Sequence, residues 1–429
     1  MNQLKGSVIF KALAVLASFL VVPLMINYLG KERFGIWSTL LTVMSWIILF
    51  DLGIGNGLRN KVAEALAENQ RQTAREYIGA GYSLVGLIGL VILIFFQLVS
   101  YSIPWQQFFN TTSVSEMELR MTVQIAGTFI IFNFWIGLIA PLLGAIQKSG
   151  ALAAGQLISN GAVLGAVYSI QESTNATLTT LAVIYGTALV ISNAALTIWF
   201  FVRNPLLLPK LNISRKNATP IFDLGLQFFI IQLAFLIIFM TDKVLITQLL
   251  GPEKVTEYEV VFKLFSIITF IHGLISIPLW SAYTESFKKH DFTWINKMLK
   301  NQLQILLLIV GALILLATFA KEIIALWIDT PLEIPTILVC TMVLMIVITT
   351  WNNVFATFIN GTGLVKPQLY TSIAAMALNI PLSIYFVKVL EMDTSGVVMG
   401  TTISLLGAAV VLPFQTFRLL RKSNLQVQP

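Results

Sequence analysis

Residues 8–28 read VIFKALAVLASFLVVPLMINY, with Lys11 as the single charge. A helix needs about 20 mostly apolar residues to cross the hydrocarbon core of a bilayer, so this stretch is long enough to span one. Working outward at the same window length gives eleven more candidates. They are 34–52, 77–101, 121–146, 151–170 and 178–202, then 221–249, 258–282, 303–327, 334–358, 369–390 and 396–419. The first is too long for a cleaved leader, carries Lys11 and is followed by further spans, so it is expected to stay in the protein. Over the 429 residues, 57% are hydrophobic and only 11% charged. Soluble domains carry about 25% charged residues. A soluble globule could not bury this much apolar side chain. The composition excludes a disordered chain, a water-soluble enzyme and a nucleic-acid binder, and predicts an all-α polytopic membrane protein.

The net charge of +7 comes from 27 Lys and Arg against 20 Asp and Glu. With twelve spans, eighteen of the basic residues fall in loops on the amino-terminal side, including Arg59, Lys61, Arg71 and Arg75, and Lys288, Lys289, Lys297 and Lys300. Six fall on the other side, and Lys11, Lys243 and Lys263 lie within spans. Basic loops stay cytoplasmic, so both termini are expected in the cytoplasm. The single cysteine, Cys340, gives no disulfide, and His272 and His290 are too far apart in sequence to suggest a shared metal. No metal or cofactor is expected. The longest outer loop, 102–120, has no evident enzymatic equipment, and no G-x-x-x-x-G-K-[ST] phosphate loop occurs.

Six spans, a basic linker (203–220) and six more spans invite a search for duplication. Leu29-Gly30-Lys31-Glu32 ends the first span, and Leu250-Gly251-Pro252-Glu253 ends the seventh, at an offset of 221. Glu64 meets Glu285 at the same offset. Gln147-Lys148-Ser149-Gly150 matches Asn360-Gly361-Thr362-Gly363 at an offset of 213, after spans four and ten. Two lobes of six spans are therefore expected, 1–215 and 216–429. With an even number of spans each, they share one orientation and are related by an axis along the membrane normal.

Several stretches resemble a known family. Pro23 in the first span, followed by Asn27-Tyr28-Leu29-Gly30-Lys31-Glu32-Arg33-Phe34-Gly35-Ile36-Trp37, is similar to the opening of the polysaccharide-export branch of the MOP (multidrug/oligosaccharidyl-lipid/polysaccharide) superfamily. Asp51-Leu52-Gly53-Ile54-Gly55-Asn56-Gly57-Leu58-Arg59-Asn60 resembles Wzx-type O-antigen flippases, and Asp242-Lys243-Val244-Leu245-Ile246 looks like that branch's seventh helix. The resemblance implies a MATE-like fold, with two six-helix lobes around a central cavity that opens alternately to each side. It also implies a substrate, an oligosaccharide linked to undecaprenyl pyrophosphate and moved from inner to outer leaflet. The polymerase and chain-length regulator of the same pathway become candidate partners, alongside the lipid bilayer.

Moving such a head group needs a wet, partly cationic route, because buried unpaired hydroxyls cost roughly 2–7 kcal/mol each. Ionisable residues within spans are therefore the candidates. Lys11, Lys243 and Lys263 are the cavity cations; Lys11 could instead snorkel to head groups, and Lys243 could form an ion pair with a neighbouring helix. Glu259 and Lys263 have the favourable i,i+4 order for mutual neutralisation. Asp242 and Lys243, adjacent on a helix, point about 100° apart and are not expected to pair. His272 is a titrating group or a hydrogen-bonded core histidine. Asp51, Asn56 and Arg59, among Gly53, Gly55 and Gly57, form either a cytoplasmic gate or a capped helix end. Asn133, Gln227, Gln232, Asn352 and Asn353 are amides that bind sugar or tie helices. Trp46, Trp135 and Trp280 stack on sugars or anchor at interfaces.

A drug exporter of the same superfamily commonly has a carboxylate in its first helix, where this chain has Lys11. A lipid II flippase usually has an Arg-Asp pair there. A polymerase or glycosyltransferase would bring a large external loop or an Asp-x-Asp motif, neither of which is present. A scramblase or a scaffold remains open.

Overall fold

The computed structural model describes residues 2–47, 54–146, 148–170, 177–209, 236, 240–362, 364 and 366–426, and these are helical almost throughout. Contacts divide the chain into two compact units, Met1–Leu236 and Ile237–Pro429. The expected boundary at 215/216 lies outside the described residues. The first unit contains α1 (Asn2–Leu29), α2 (Lys31–Ser45), α3 (Ile54–Ala67), α4 (Arg71–Ser102), α5 (Trp105–Phe108), α6 (Glu116–Ile136), α7 (Ile139–Ala145), α8 (Ser149–Ile170) and α9 (Leu178–Arg203). The second contains α10 (Asp242–Leu250), α11 (Pro252–Lys288), α12 (Phe292–Thr318), α13 (Ala320–Trp327), α14 (Thr336–Thr362), α15 (Lys366–Lys388), α16 (Asp393–Ser404) and α17 (Leu406–Gln426).

Among the described residues, ten helical segments are long and apolar enough to cross a membrane. Of the other two expected spans, 34–52 is represented by α2 and 221–249 by α10. The remainder of each lies mostly outside the described residues. Exposed aliphatic side chains such as Leu98, Leu307 and Leu308 cover the outward faces of α4 and α12, as suits a hydrocarbon solvent. Within the first unit, α1 packs along α8 and α6 along α9. A core around Leu58, Ile78, Val85 and Leu142 joins α3, α4 and α7. Within the second, α15 packs on α16 and α11 on α14, around Tyr283, Phe355 and Phe358.

The repeat read from the sequence has a counterpart in the backbone. Gly30 (φ 77°, ψ 169°) and Gly251 (φ 97°, ψ 161°) adopt the same left-handed-side conformation, each ending one helix and starting the next. A Cβ at either would meet no atom within 4 Å. The requirement is therefore for the dihedral angle, which glycine alone adopts without strain. At the same offset of 221, Asn69 (φ 59°) and His290 (φ 57°) terminate α3 and α11. Gln70 N donates to Ala65 O (2.8 Å) and Asp291 N to Ser286 O (2.9 Å), the same Schellman closure twice. The buried line of α4 (Ala74, Ile78, Gly81, Val85) falls on that of α12 (Ile295, Leu299, Gln302, Leu306). Glu64 and Glu285 each pair with a nearby lysine, Lys61 at 2.8 Å and Lys289 at 2.5 Å. Hydrogen bonding from Lys289 holds Glu285 below its usual carboxylate range.

Four of the expected spans differ in the structure. The ninth, 303–327, begins at Phe292 and breaks at Phe319, between α12 and α13. The fourth span, 121–146, begins earlier, at Glu116, and breaks between α6 and α7. Pro141 offers no N–H to the Gly137 carbonyl, which accepts from Ala140 N instead (2.9 Å). The twelfth breaks at Leu405, whose N–H is shared between the Thr401 and Thr402 carbonyls (3.3 and 3.2 Å). Further along, Pro413 lies inside α17 and leaves the Ala409 carbonyl without its helical donor. Trp351 Nε1 of α14 donates to that carbonyl at 2.9 Å. The eighth, expected over 258–282, is one helix of 37 residues, α11. It covers the same interval that α2 and α3 occupy together in the first unit.

In hydrocarbon an orphaned carbonyl has no water to turn to. Trp351→Phe is expected to destabilise the protein by about 1–3 kcal/mol. The loss would be read as a lower thermal midpoint of detergent-purified protein. An unchanged midpoint would mean that Ala409 O needs no donor from Trp351.

Candidate functional site

The membrane-embedded charges of the second unit converge where α10 turns through Gly251 into α11. Asp242 and Lys243 occupy the first turn of α10, and Tyr258, Glu259 and Lys263 the first three turns of α11. Asp242 is 2% exposed. Its Oδ2 accepts from the Tyr258 hydroxyl (3.1 Å) and its Oδ1 from Thr401 Oγ1 of α16 (2.9 Å). Asn379 Nδ2 of α15 donates to Thr401 Oγ1 (2.9 Å), and Thr241 Oγ1 donates to Asn379 Oδ1 (3.3 Å). One carboxylate thus gathers hydroxyl and amide groups from α11, α15 and α16. Ionised and buried, such a group is tolerated only when it is well hydrogen-bonded.

Lys243 points away from this network. Its Nζ lies 2.5 Å from Glu259 Oε2, with the two side chains 21% and 16% exposed. The i,i+4 spacing led to the expectation of a Glu259–Lys263 pair; the structure adds a cross-helix partner for Glu259, Lys243. The reason is geometric: the Gly251 turn folds α10 against α11 and carries Lys243 to Glu259. Lys263, half-buried one turn further along α11, feels the charges of both Glu259 and Lys243. Asp242 and Lys243 do not pair with each other, as their angular separation requires.

His272 lies deeper in α11 and is 2% exposed. Ser276 Oγ is 3.3 Å from its Nε2, and Asn353 Nδ2 of α14 donates to its Nδ1 (3.4 Å). It is a hydrogen-bonded core histidine joining α11 and α14.

The first unit carries less charge in these positions. Counting back by 221, Asp242, Lys243, Glu259 and Lys263 correspond to Val21, Val22, Ser38 and Thr42, all buried. Lys11 is half-buried near the start of α1, roughly 27 Å along the helix from Leu29 at 1.5 Å per residue. Lys243 is only about 10 Å from the equivalent Leu250. Lys11 and Lys243 therefore stand at different depths within their own units. Asp51 lies outside the described residues, as do Gln227, Gln232 and the side chain of Asn56. Arg59 is exposed on α3, its guanidinium against Gly144 of α7.

Most within-span amides tie helices: Asn193 Nδ2 donates to Asn133 Oδ1 (2.7 Å), and Asn352 Nδ2 to Leu405 O (3.2 Å). Trp135 Nε1 donates to Tyr82 O (2.9 Å), packing α6 on α4. Among the described residues no group of three His, Cys, Asp or Glu side chains converges on a metal position.

Sequence reasoning missed Tyr258, Thr401 and Asn379. It also missed an ion pair in the first unit. Arg33 of α2 binds Glu118 of α6 through two nitrogens (2.8 and 3.2 Å), and Glu118 also accepts the N–H of Leu178 at the start of α9 (3.0 Å). Lys254, at the offset of 221 from Arg33, pairs with Asp393 at the start of α16 (2.9 Å). The signal was available in the repeat: a basic residue three positions after each turn glycine.

Two like-built helical units with a polar centre inside the membrane-crossing helices define a polytopic membrane transporter. Solved structures of that class share the fold. A multidrug resistance MATE family transporter of the MOP superfamily, in its inward-facing conformation, superposes with a TM-score of 0.77 at 15% identity, over 98% of this chain and 96% of that one. A MOP superfamily transporter from Pyrococcus furiosus gives a TM-score of 0.67 at 15% identity, over 98% and 97%. A family model described as "Polysaccharide biosynthesis protein" matches residues 7–284, and a second, "MatE", matches 228–385. The chain belongs to the polysaccharide biosynthesis protein family. Among its relatives, a putative O-antigen transporter of Salmonella typhimurium is 23% identical over 70% of this chain and 69% of its own length. A putative O-antigen export protein of Yersinia pseudotuberculosis is 21% identical over 83% and 82%.

Proposed function

We propose that this transporter is a flippase. It carries undecaprenyl-pyrophosphate-linked oligosaccharide repeat units from the cytoplasmic to the periplasmic leaflet of a bacterial inner membrane, by alternating access, for O-antigen, capsule or exopolysaccharide synthesis. The family and the names of its O-antigen relatives support this reading. The observation that carries it is two half-buried lysines, Lys263 inside the membrane-spanning segment Pro252–Ser276 and Lys243 on the adjoining α10. Ionisable groups at that depth are costly and are retained for function, and an ammonium is a good partner for a phosphate oxygen. The basic loops on the amino-terminal side support cytoplasmic termini. Export of an anion from a negative interior gains about 2.3 kcal/mol per charge per 100 mV, so a diphosphate has a driving force of its own. Asp242 is the candidate for coupling a cation to the cycle.

A second reading, a MATE-like cation-coupled exporter of small molecules, draws on the MatE match and on the buried Asp242. A lipid II-type flippase is a third. The experiment is complementation of a strain lacking its own O-antigen flippase. The expected result is restored surface polysaccharide with no change in drug susceptibility. Drug resistance without polysaccharide would favour the exporter, and rescue of peptidoglycan assembly the lipid II reading.

Lys11→Ala is expected to lower surface polysaccharide several-fold at unchanged membrane abundance. Full export would assign Lys11 to head-group anchoring alone.

A further inference from the structure

We infer that Glu259 is a built-in counter-anion: it holds the phosphate position between Lys243 and Lys263 and yields Lys243 to an incoming lipid diphosphate. The inference rests on the flippase reading and adds to it how the cationic site is kept between loads.

Three observations carry it. First, the Lys243–Glu259 contact of 2.5 Å is a charge-assisted pair, yet both side chains stay partly exposed, so a ligand can reach them. Second, the pair is not needed as a strut. Tyr258 and Thr401 already tie Asp242 of α10 to α11 and α16. Third, the first unit makes the same glycine turn with Val22 and Ser38 at the equivalent positions. The backbone is therefore built without an ion pair, and the second unit's charges serve something else.

The chemistry is an exchange of partners. An ammonium left alone at this depth is disfavoured, so Glu259 keeps Lys243 charged and in place while no head group is bound. A diphosphate carries enough negative charge to displace one carboxylate. Lys243 then moves its contact to a phosphate oxygen, while Glu259 keeps Lys263 one turn along its own helix. A phosphomonoester or a neutral lipid competes less well, so the carboxylate also selects against weakly charged lipids. Because binding replaces an ion pair rather than adding one, affinity stays low enough for release.

The test is titration of detergent-purified, full-length protein with farnesyl diphosphate, farnesyl monophosphate and inorganic pyrophosphate. Glu259→Gln is expected to tighten farnesyl diphosphate binding about tenfold, the order of one competing charge near a protein surface, and to narrow the preference for diphosphate over monophosphate. Lys243→Ala in that background is expected to abolish the gain. Glu259→Ser, the residue found at the equivalent first-unit position, serves as a second variant should Gln disturb folding. Inorganic pyrophosphate showing the same gain would place the recognition in the head group; a gain confined to the farnesyl compound would place it in a lipid-bound head group. Either gain supports the exchange. Unchanged or weaker binding in both Glu259 variants, with binding still lost in Lys243→Ala, would overturn the counter-anion role and leave the cationic site standing. Wild-type binding in Lys243→Ala and Lys263→Ala as well would overturn both.

Discussion

Lys243→Ala is expected to cut surface polysaccharide at least tenfold in the complementation assay, the largest loss among the candidate cations. Two effects combine. The head group loses an ammonium, and Glu259 loses its partner at 16% exposure. Removing one member of a fully buried pair costs about 3–5 kcal/mol. With both side chains partly exposed, about 1–3 kcal/mol is the better expectation. The two effects separate in the double variant Lys243→Ala/Glu259→Gln. Its thermal midpoint should recover in part, because Glu259 no longer carries a charge that has lost Lys243, while export should stay low. Recovery of export with stability would show that the lysine only balances Glu259.

The second large effect is expected at Asp242. Asp242→Ala strips the acceptor from both the Tyr258 hydroxyl and Thr401, inside a network that joins α10, α11, α15 and α16. The cost should be about 3–5 kcal/mol, seen as a sharp fall in folded protein in the membrane. Asp242→Asn keeps an acceptor oxygen and nearly the same shape, so it should accumulate normally. If the carboxylate carries a coupling cation, that variant will still lose at least tenfold in export. Normal export from Asp242→Asn would make the network a scaffold and remove Asp242 from the transport cycle.

Much of the architecture was legible in the sequence, because hydrocarbon imposes length and polarity on every crossing segment. The doubled Leu-Gly-x-Glu turn was legible too, since only glycine takes that dihedral comfortably. The breaks at Gly137 and Leu405 were not. The first depends on Pro141, which leaves the Gly137 carbonyl to another donor, and beyond the second the carbonyl that Pro413 frees is met by Trp351, 58 residues away. The site divided along the same line. Lys243, Glu259, Lys263 and Asp242 stood out as charges within apolar runs. Their partners did not, because threonine, tyrosine and asparagine are ordinary in such helices and Thr401 lies 159 residues from Asp242. Local spacing placed Glu259 beside Lys263, and packing across the Gly251 turn, which spacing does not show, added Lys243.

That turn has a wider consequence. Both units carry the same joints, down to the left-handed residues at 30 and 251 and at 69 and 290. Only the second has an acid and a base where the first has buried valines. A change of cargo can therefore proceed by repainting a few side chains on one sibling while the other preserves the frame. Cargo diversity then demands no new architecture.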